Sequence, residues 1–511
     1  MDNRILVVCL VSIIYMIFII GVGWISQKRT SKTGEDYFLA SRSISGFYLF
    51  CAIIGANLSA FVMMGMPGAA YHNGFGMYGL IMGAGSFLIA FTTYYFGVRI
   101  WILGKKFGYS TPSELYGDRF KSNGVSNIMF LIFAIYTIPY IVTGQIGAGA
   151  GFQTFTNGVI PYWLGSLIIT VLVGYYVWGG GMRGTVLTNT IQVLIFTVFL
   201  LLAVILLSKE GGGFSGMTER ILAEKPHLLQ REGIPSFSWQ VWFSQWLLFA
   251  FVVLSFPHVF IRLLAGKNSN ALKQNSIMYP LGMAFIYILA VTLGVWGAVL
   301  IPGLEGSASD NIVFLLTFEY LPIWMSGLAL VGLFSMVMST MDAQLLTMSN
   351  LFTNDILKKY GKVKGEATSV VYGRLFVVLI LAVCYLVSLI RPASVFEIAN
   401  LSFTGTSAMI PVIVASLYWR RLNKAGAIAS LLTGAILVPV YFLTNWLPNF
   451  GFLPIVPVLV LSTFVMILVS YLTKPEYENA DRHLNFLKKF YNKDKKVGNG
   501  SIETIVTKKV Q

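Results

Sequence analysis

Residues Ser335–Asn350 read SMVMSTMDAQLLTMSN, placing two adjacent hydroxyls, Ser339 and Thr340, and a carboxylate, Asp342, inside an otherwise apolar run of membrane-spanning length. An ionisable side chain at the centre of a bilayer costs about 2.5–3.5 kcal/mol on insertion scales, so it marks a functional site by default. Hydroxyls beside a carboxylate are hard-oxygen donors of the kind that suit a small cation. The competing reading is helix glue, since Ser and Thr in membrane helices also bond the preceding turn or a neighbouring helix.

The rest of the chain supplies the setting. Of 511 residues, 56% are hydrophobic and 11% charged, and the mean hydropathy is +0.73. No soluble domain of this length keeps so little charge. Apolar stretches of roughly 20 residues, each able to cross about 30 Å of hydrocarbon, recur from end to end. They predict an all-α integral membrane protein of about 13 spans, near 5–26, 47–72, 76–103, 125–155, 160–180, 185–208, 238–263, 273–302, 312–352, 370–390, 395–419, 424–444 and 452–473. The stretch 312–352 is expected to hold a short outer segment, ending near Leu321-Pro322, before its main helix.

A net charge of +15 invites a nucleic-acid reading, but the distribution refutes it. Basic residues gather in alternate connections: Lys28, Arg29 and Lys32; Lys105 and Lys106; Arg183; Lys267; Lys358, Lys359, Lys362 and Lys364; Arg420, Arg421 and Lys424. The connections between them are nearly uncharged or acidic, apart from the mixed loop 209–237. By the positive-inside rule the basic loops face the cytoplasm, with the N-terminus outside and the C-terminus inside. Residues 1–475 read as one transmembrane transporter domain in the cell membrane, and 476–511 as a basic, solvated cytoplasmic tail. Residues 1–4 are too short and too acidic to open a signal peptide, so the first apolar run is expected to stay as a span. Cys9, Cys51 and Cys384 all fall within spans and form no disulfide framework, and His72, His227, His258 and His483 are too scattered for a metal cluster.

Neither the 209–237 loop nor the tail can bury a core, so the chemistry must lie between helices. Two spans carry breaks. The second contains GANLSAFVMMGMPGAA, where Gly55, Gly65, Pro67 and Gly68 weaken the helix and Asn57 and Ser59 add polarity. The seventh contains LSFPH, where Pro257 removes a backbone donor. Breaks five spans apart point to an inverted-repeat carrier with a midplane site, in which unwound carbonyls can coordinate a cation.

Seven segments, in order, carry a resemblance: DYFLASRSISG (36–46), ANLSAFVMMGMPGAAY (56–71), TPSELYGDRF (111–120), GGMRGTVLTNTIQ (180–192), FPHVFIRLLAGKN (256–268), MSTMDAQLLTMSNLFTNDIL (338–357) and SLYWRRLNKAGAIASLLTG (416–434). Through them the chain resembles the sodium:solute symporter family, whose members carry proline, pantothenate, monocarboxylates, sialic acid or galactose with sodium. The resemblance implies a leucine-transporter-type fold of inverted five-helix repeats, here about 47–208 and 238–420, with flanking helices.

Residues 336, 339 and 340 share a helical face. The Ser339 and Thr340 hydroxyls and the Met336 carbonyl can meet a facing loop of free carbonyls, which the resemblance assigns to Gly55 and Leu58. These five residues are the expected site for sodium, the coupling ion. Some relatives hold a second sodium with an aspartate in span six. Here that position is Asn189, while Asp342 stands where hydroxyls are common in the family, as if the carboxylate had crossed the cavity. Asp342, Asn189 and Ser339 thus form a candidate second cation or proton site. The alternative is a carboxylate facing cytoplasmic water or a basic loop residue.

The expected solute pocket holds Asn57, Phe61, Phe249 and Val253, with Gln145, Gln344, Tyr136 and Tyr140 as polar candidates. In the proline carriers the positions of Phe61, Phe249 and Val253 are tryptophan, tryptophan and tyrosine, and Asn57 is aspartate. The sugar carriers' polar pair at Phe61 and Val62 is also missing. What remains is an apolar pocket suited to a monocarboxylate or a pantothenate-like acid. Arg262, Arg374 and Arg99 lie near cytoplasmic ends and are expected to snorkel. The leading function is sodium-coupled symport of a small organic solute by alternating access. A proline-type amino-acid carrier of the same family, an uncoupled uniporter or channel, and a membrane sensor are the alternatives. An enzyme is weakest, since no nucleophile–base pair or HExxH set is present. Membrane lipid is the expected surrounding, with neither nucleic acid nor an obligate protein partner required.

Overall fold

The computed structural model describes residues 3–29, 34–230, 237–361, 366–390, 393–444 and 446–497. Lys32, Lys362 and Lys364 of the basic loops, and 498–511 of the tail, lie outside the described residues. The described chain is helices and connecting loops, with one isolated β-bridge between Ile44 and Gly266. The principal helices are α1 (Asn3–Arg29), α2 (Gly46–Asn57), α3 (Phe61–Asn73), α4 (Gly76–Phe107), α5 (Pro112–Arg119), α6 (Asn123–Phe155), α7 (Tyr162–Glu210), α8 (Trp239–Ser255) and α9 (Pro257–Ala265). They continue with α10 (Ser269–Leu300), α11 (Ile312–Tyr320), α12 (Ile323–Lys358), α13 (Glu366–Ile390), α14 (Val395–Tyr418), α15 (Lys424–Leu443), α16 (Ile455–Leu472) and α17 (Tyr477–Val497).

Among the described residues, ten helices are long and apolar enough to cross a membrane, or up to 12 spans when the bent pairs α2/α3 and α8/α9 are each one span. The exact count of 13 is therefore not confirmed. The span expected at 160–180 is the first part of α7, which starts at Tyr162. It runs on into the next helix through Gly181, whose φ of +56° only glycine adopts without strain. The short outer segment before the ninth span is present as α11, which ends just before Leu321-Pro322.

Burial separates core from periphery. In α12 and α10, 83% of the apolar window is buried, against 22% in α1 and 33% in α13, α15 and α16. A helix that is apolar all round and buried belongs at the centre of a bundle. α12 accordingly packs against α7, α1, α6 and α2, while α10 packs on α2, α3 and α4. The α10–α3 crossing is close enough that a Cβ at Gly294 would lie 2.3 Å from the Pro67 carbonyl oxygen. Small residues permit such approaches in membrane bundles.

The tail departs from expectation over 477–497. Ala480, His483, Leu484, Leu487 and Phe490 recur at helical spacing and are buried, so this stretch forms α17 and docks on α4, α5 and α14. Arg482 bridges Asp118 at 2.8 Å, Arg420 grips Asp481 through two bonds of 2.6 Å, and the His483 Nε2 lies 2.9 Å from the Tyr109 hydroxyl. Burial, with help from Arg119 and Arg482 and against the pull of Asp118, lowers the His483 pKa to about 4. Burial works to raise the Asp118 carboxyl, but hydrogen bonds from Lys121, Tyr109 and Arg482 outweigh it and bring it to about 2.

A histidine with a lowered folded pKa binds fewer protons folded than unfolded between pH 6.5 and about 4. Docking of α17 is therefore strongest above pH 6.5 and weakens as the pH falls through that window, with the contribution of Asp118 lost between pH 3.8 and about 2. Limited proteolysis within 477–497 should be several-fold faster at pH 4.5 than at pH 7.5. His483→Phe should flatten that dependence. Equal cleavage rates at both pH values in the native protein would refute the assignment.

Candidate functional site

The two breaks have separate local causes. After Asn57, the Ser59 side chain accepts the Phe61 N–H (3.2 Å) and its carbonyl accepts Val62 N–H (2.9 Å). These local bonds compete with helix continuation. The chain turns by 63° there. Gly65, Pro67 and Gly68, expected to weaken this span, lie inside α3 instead. In the other pair, Pro257 cannot donate and forces Phe256 into an extended conformation (φ −75°, ψ 122°), bending the span by 54°. Both breaks lie at buried positions.

With α2 ended, the carbonyls of Gly55 and Leu58 lose their helical donors, and α12 meets them. Ser339 Oγ lies 2.8 Å from the Gly55 oxygen and 2.9 Å from that of Met336. Thr340 Oγ1 lies 3.3 Å from Gly55 O, 2.9 Å from Leu58 O and 3.2 Å from Met336 O. Gly55, Leu58, Met336, Ser339 and Thr340 are thus brought together. Five donor–acceptor contacts share only two hydroxyl protons, so the cluster has more lone pairs than hydrogens to fill them. Neutral hard oxygens in surplus, with no carboxylate among the five, can hold a small monovalent cation once the hydroxyl protons rotate outward. Gly55 is needed for the approach of α7: a Cβ there would lie 3.1 Å from Val193 Cγ2 and 3.2 Å from Asn189 Cβ.

Asp342 is fully buried, not turned to water. With the Asn189 amide oriented so that its nitrogen faces acceptors, it donates to Thr185 O at 2.9 Å and to Asp342 Oδ2 at 3.1 Å. Burying the carboxylate costs about 2.5–3.5 kcal/mol, and one hydrogen bond to a charged group returns about 1.5–3 kcal/mol. The bond from Asn189 is thus comparable in size to the cost of burial. Ser339 links the two clusters, being the next turn of α12. Nearby, Ser335 Oγ (3.0 Å) and Gln192 Nε2 (3.2 Å) donate to the Tyr15 hydroxyl, bringing in α1, which sequence reasoning missed.

The expected solute residues divide. Asn57 is central: Nδ2 donates to Tyr279 OH (2.8 Å), Oδ1 lies 3.2 Å from His258 Nε2, and its carbonyl accepts Tyr140 OH (2.7 Å). Phe61 stacks on Phe396 (centroids 5.3 Å) and meets Phe403 edge-on (5.5 Å), which Phe249 also touches (6.0 Å). Val253 is buried on α8 one turn before the break. Gln145 is not brought to this pocket: it donates to Thr170 (2.9 Å) and the Leu381 carbonyl (3.4 Å), on the α7 and α13 side. Gln344 is buried one turn past Thr340, and neither of its amide atoms has a hydrogen-bond partner. Tyr136 faces α14, where Ser402 donates to its carbonyl. Arg262 is fully buried and donates to the His258 carbonyl (3.1 Å), so it does not snorkel. Sequence reasoning also missed His258, Tyr279, Phe256 and Phe403. The FPH motif was a signal for His258 and Phe256, whereas Tyr279 and Phe403 read as ordinary helix residues.

Comparison with known proteins bears on the family and the fold. A family model described as the sodium:solute symporter family matches residues 37–434. The chain is 29% identical to a sodium/pantothenate symporter of Haemophilus influenzae over 487 residues, covering 92% of this chain and 97% of that protein. It is 26% identical to the osmoregulated proline transporter OpuE of Bacillus subtilis, covering 94% and 98%. Among solved structures, a substrate-bound outward-open Na+-coupled sialic acid symporter superposes with a TM-score of 0.77 at 17% identity, covering 92% of this chain and 98% of that one. The hydantoin-bound nucleobase-cation symporter Mhp1 superposes with a TM-score of 0.54 at 14% identity, covering 89% and 100%. The fold is thus of the leucine-transporter type.

Removing the Asn57 side chain strands two buried partners, at about 1–3 kcal/mol for each group left unpaired. Asn57→Ala should lower the thermal midpoint in detergent by several degrees, and Tyr279→Phe by less, since it removes one bond of the set. Equal midpoints for both variants and the native protein would show that the network contributes nothing.

Proposed function

The chain belongs to the sodium:solute symporter family, and from that premise we propose that it uses inward sodium movement to import a small organic acid, of monocarboxylate or pantothenate-like type. The observation that carries the sodium reading is the meeting of the Gly55, Leu58 and Met336 carbonyls with the Ser339 and Thr340 hydroxyls at the first break. A sodium ion there ties α2 to α12. Because the two belong to different parts of the bundle, occupancy of the site favours one arrangement of the bundle over the other, and the differential affinity drives alternating access.

Asp342 and Asn189, with Ser339, form in this reading a second cation or proton site. Relative to a carboxylate on α7, the charge sits on α12 and the net charge of the cavity is conserved. The basic loops face the cytoplasm, with the N-terminus outside and the C-terminus inside. Residues 1–475 make the transport domain and 476–511 its cytoplasmic extension.

The acid reading rests on the pocket lining. Phe61, Phe249 and Phe256 each meet Phe403 edge-on, as does Tyr140, whose hydroxyl bonds the Asn57 carbonyl, and the start of α9 presents backbone N–H groups to the break, an electropositive end suited to a carboxylate. Some relatives are proline transporters, so a proline-type carrier is the second reading; the departures at Asn57, Phe61, Phe249 and Val253 weigh against it. An uncoupled uniporter would equilibrate the solute without accumulating it.

A thermal-shift screen of purified protein against small acids, amino acids and sugars, in sodium and then in potassium, identifies solute and coupling together through ligand linkage. Stabilisation by an acid in sodium alone is expected. No sodium dependence for any ligand sinks the symport reading. Ser339→Ala and Thr340→Ala should each raise the sodium concentration for half-maximal uptake about tenfold or more; an unchanged sodium dependence in both removes the site. For Asp342→Asn, the sodium Hill coefficient or the pH dependence of uptake should change. If neither moves, the second-site reading fails.

A further inference from the structure

His258 is the second residue of α9, immediately after the Pro257 break, and only 1% of its surface is exposed. Its ring stacks on Phe256, the last residue before the helix restarts (centroids 4.8 Å, planes 30° apart), so it covers the break. Nε2 faces Asn57 Oδ1 at 3.2 Å, and Asn57 Nδ2 faces Tyr279 OH at 2.8 Å. In this orientation of the amide its oxygen accepts from Nε2–H, which leaves the lone pair on Nδ1. That Nδ1 has no hydrogen-bond partner. A buried acceptor left empty costs about 1–3 kcal/mol.

The backbone adds a second feature. Pro257 has no N–H, and the N–H groups of His258 and Val259 have no carbonyl four residues earlier within α9 to donate to; the first intrahelical-type bond is Phe260 N–H to Phe256 O (3.0 Å). The start of α9 therefore offers two donors and a partial positive charge beside one bare acceptor. The complement of this pattern is a carboxylate together with a hydroxyl or amide N–H on the same small molecule. A bare carboxylate fills the donors and leaves Nδ1 empty.

We propose that His258 Nδ1 is the specificity-determining acceptor of the solute site, selecting carboxylic acids that carry a hydroxyl or amide N–H donor over the same acids without one. The carboxylate lies on the His258 and Val259 N–H groups, and the donor meets Nδ1. Through Nε2 the same ring is tied to Asn57, whose neighbours Gly55 and Leu58 supply carbonyls to the cation-type cluster. The solute is therefore read one side chain away from that cluster. This proposal rests on the acid reading given above.

The test uses the full-length protein in detergent with three probes, pantothenate, lactate and propionate, each titrated in sodium; lactate and propionate differ by one hydroxyl. Native protein should bind pantothenate or lactate about tenfold more tightly than propionate, the worth of roughly one hydrogen bond. His258→Gln keeps a donor near the Nε2 position for Asn57 but loses the Nδ1 acceptor. It should erase the preference while affinity for propionate stays within about twofold. His258→Asn places an acceptor near Nδ1 and gives up the bond to Asn57, and should keep the preference. The proposal is overturned if the native protein binds the acids without preference, if His258→Gln retains it, or if His258→Asn loses it; in each case the acid reading stands. If no acid binds in sodium at all, the acid reading fails and this proposal falls with it.

Discussion

A backbone carbonyl or N–H buried in hydrocarbon must find a partner, and the whole arrangement follows from two places where helices stop short of providing one. At Asn57 the chain leaves helical geometry and exposes the carbonyls of Gly55 and Leu58. At Pro257 it does so again and exposes the first N–H groups of α9. Neither break is tolerable alone in lipid. The first is met by the hydroxyls of α12, the most buried type of helix in the bundle, and the second by nothing within its own helix. The outcome is two polar points of opposite character close to one another, one rich in oxygen and one rich in N–H, joined through Asn57 and His258.

In the proposed symport, this pairing is the physical link between the two points. Asn57 sits between the two residues whose carbonyls face Ser339 and Thr340, and its side chain spans to α9 and α10. A shift in α2 that brings the Gly55 and Leu58 carbonyls to a cation also moves the Asn57 amide, and with it the ring over the second break. The surrounding aromatic rings, Phe61, Tyr140, Phe249, Phe256 and Phe403, are apolar and closely packed. They exclude water, which would otherwise weaken every one of these polar contacts.

Much of this was legible in the chain. The apolar runs set the class, and Ser339, Thr340 and the polar residues near Asn57 stood out because polar groups at membrane depth are costly. Residues three and four apart share a face, so Met336, Ser339 and Thr340 could be grouped without a structure. The span count was less readable: Gly181 joins two helices into one continuous element, and two other spans are each broken in the middle. The tail misled for a related reason. Its charge suggested solvation, but Ala480, His483, Leu484, Leu487 and Phe490 form a stripe that docks, and a stripe of five residues is easily hidden among lysines.

What the sequence by itself determined was the periodic part: an all-helical membrane bundle, a polar face on α12 and two helix breaks, since each depends on residues a few positions apart. Tertiary structure alone decided which groups face one another. Asn57 meets Tyr279 and His258 across separations of 222 and 201 residues, Asn189 turns to Asp342, and Gln145 points away to Thr170. Helical periodicity names a face; only the packing of one helix on another supplies what that face meets.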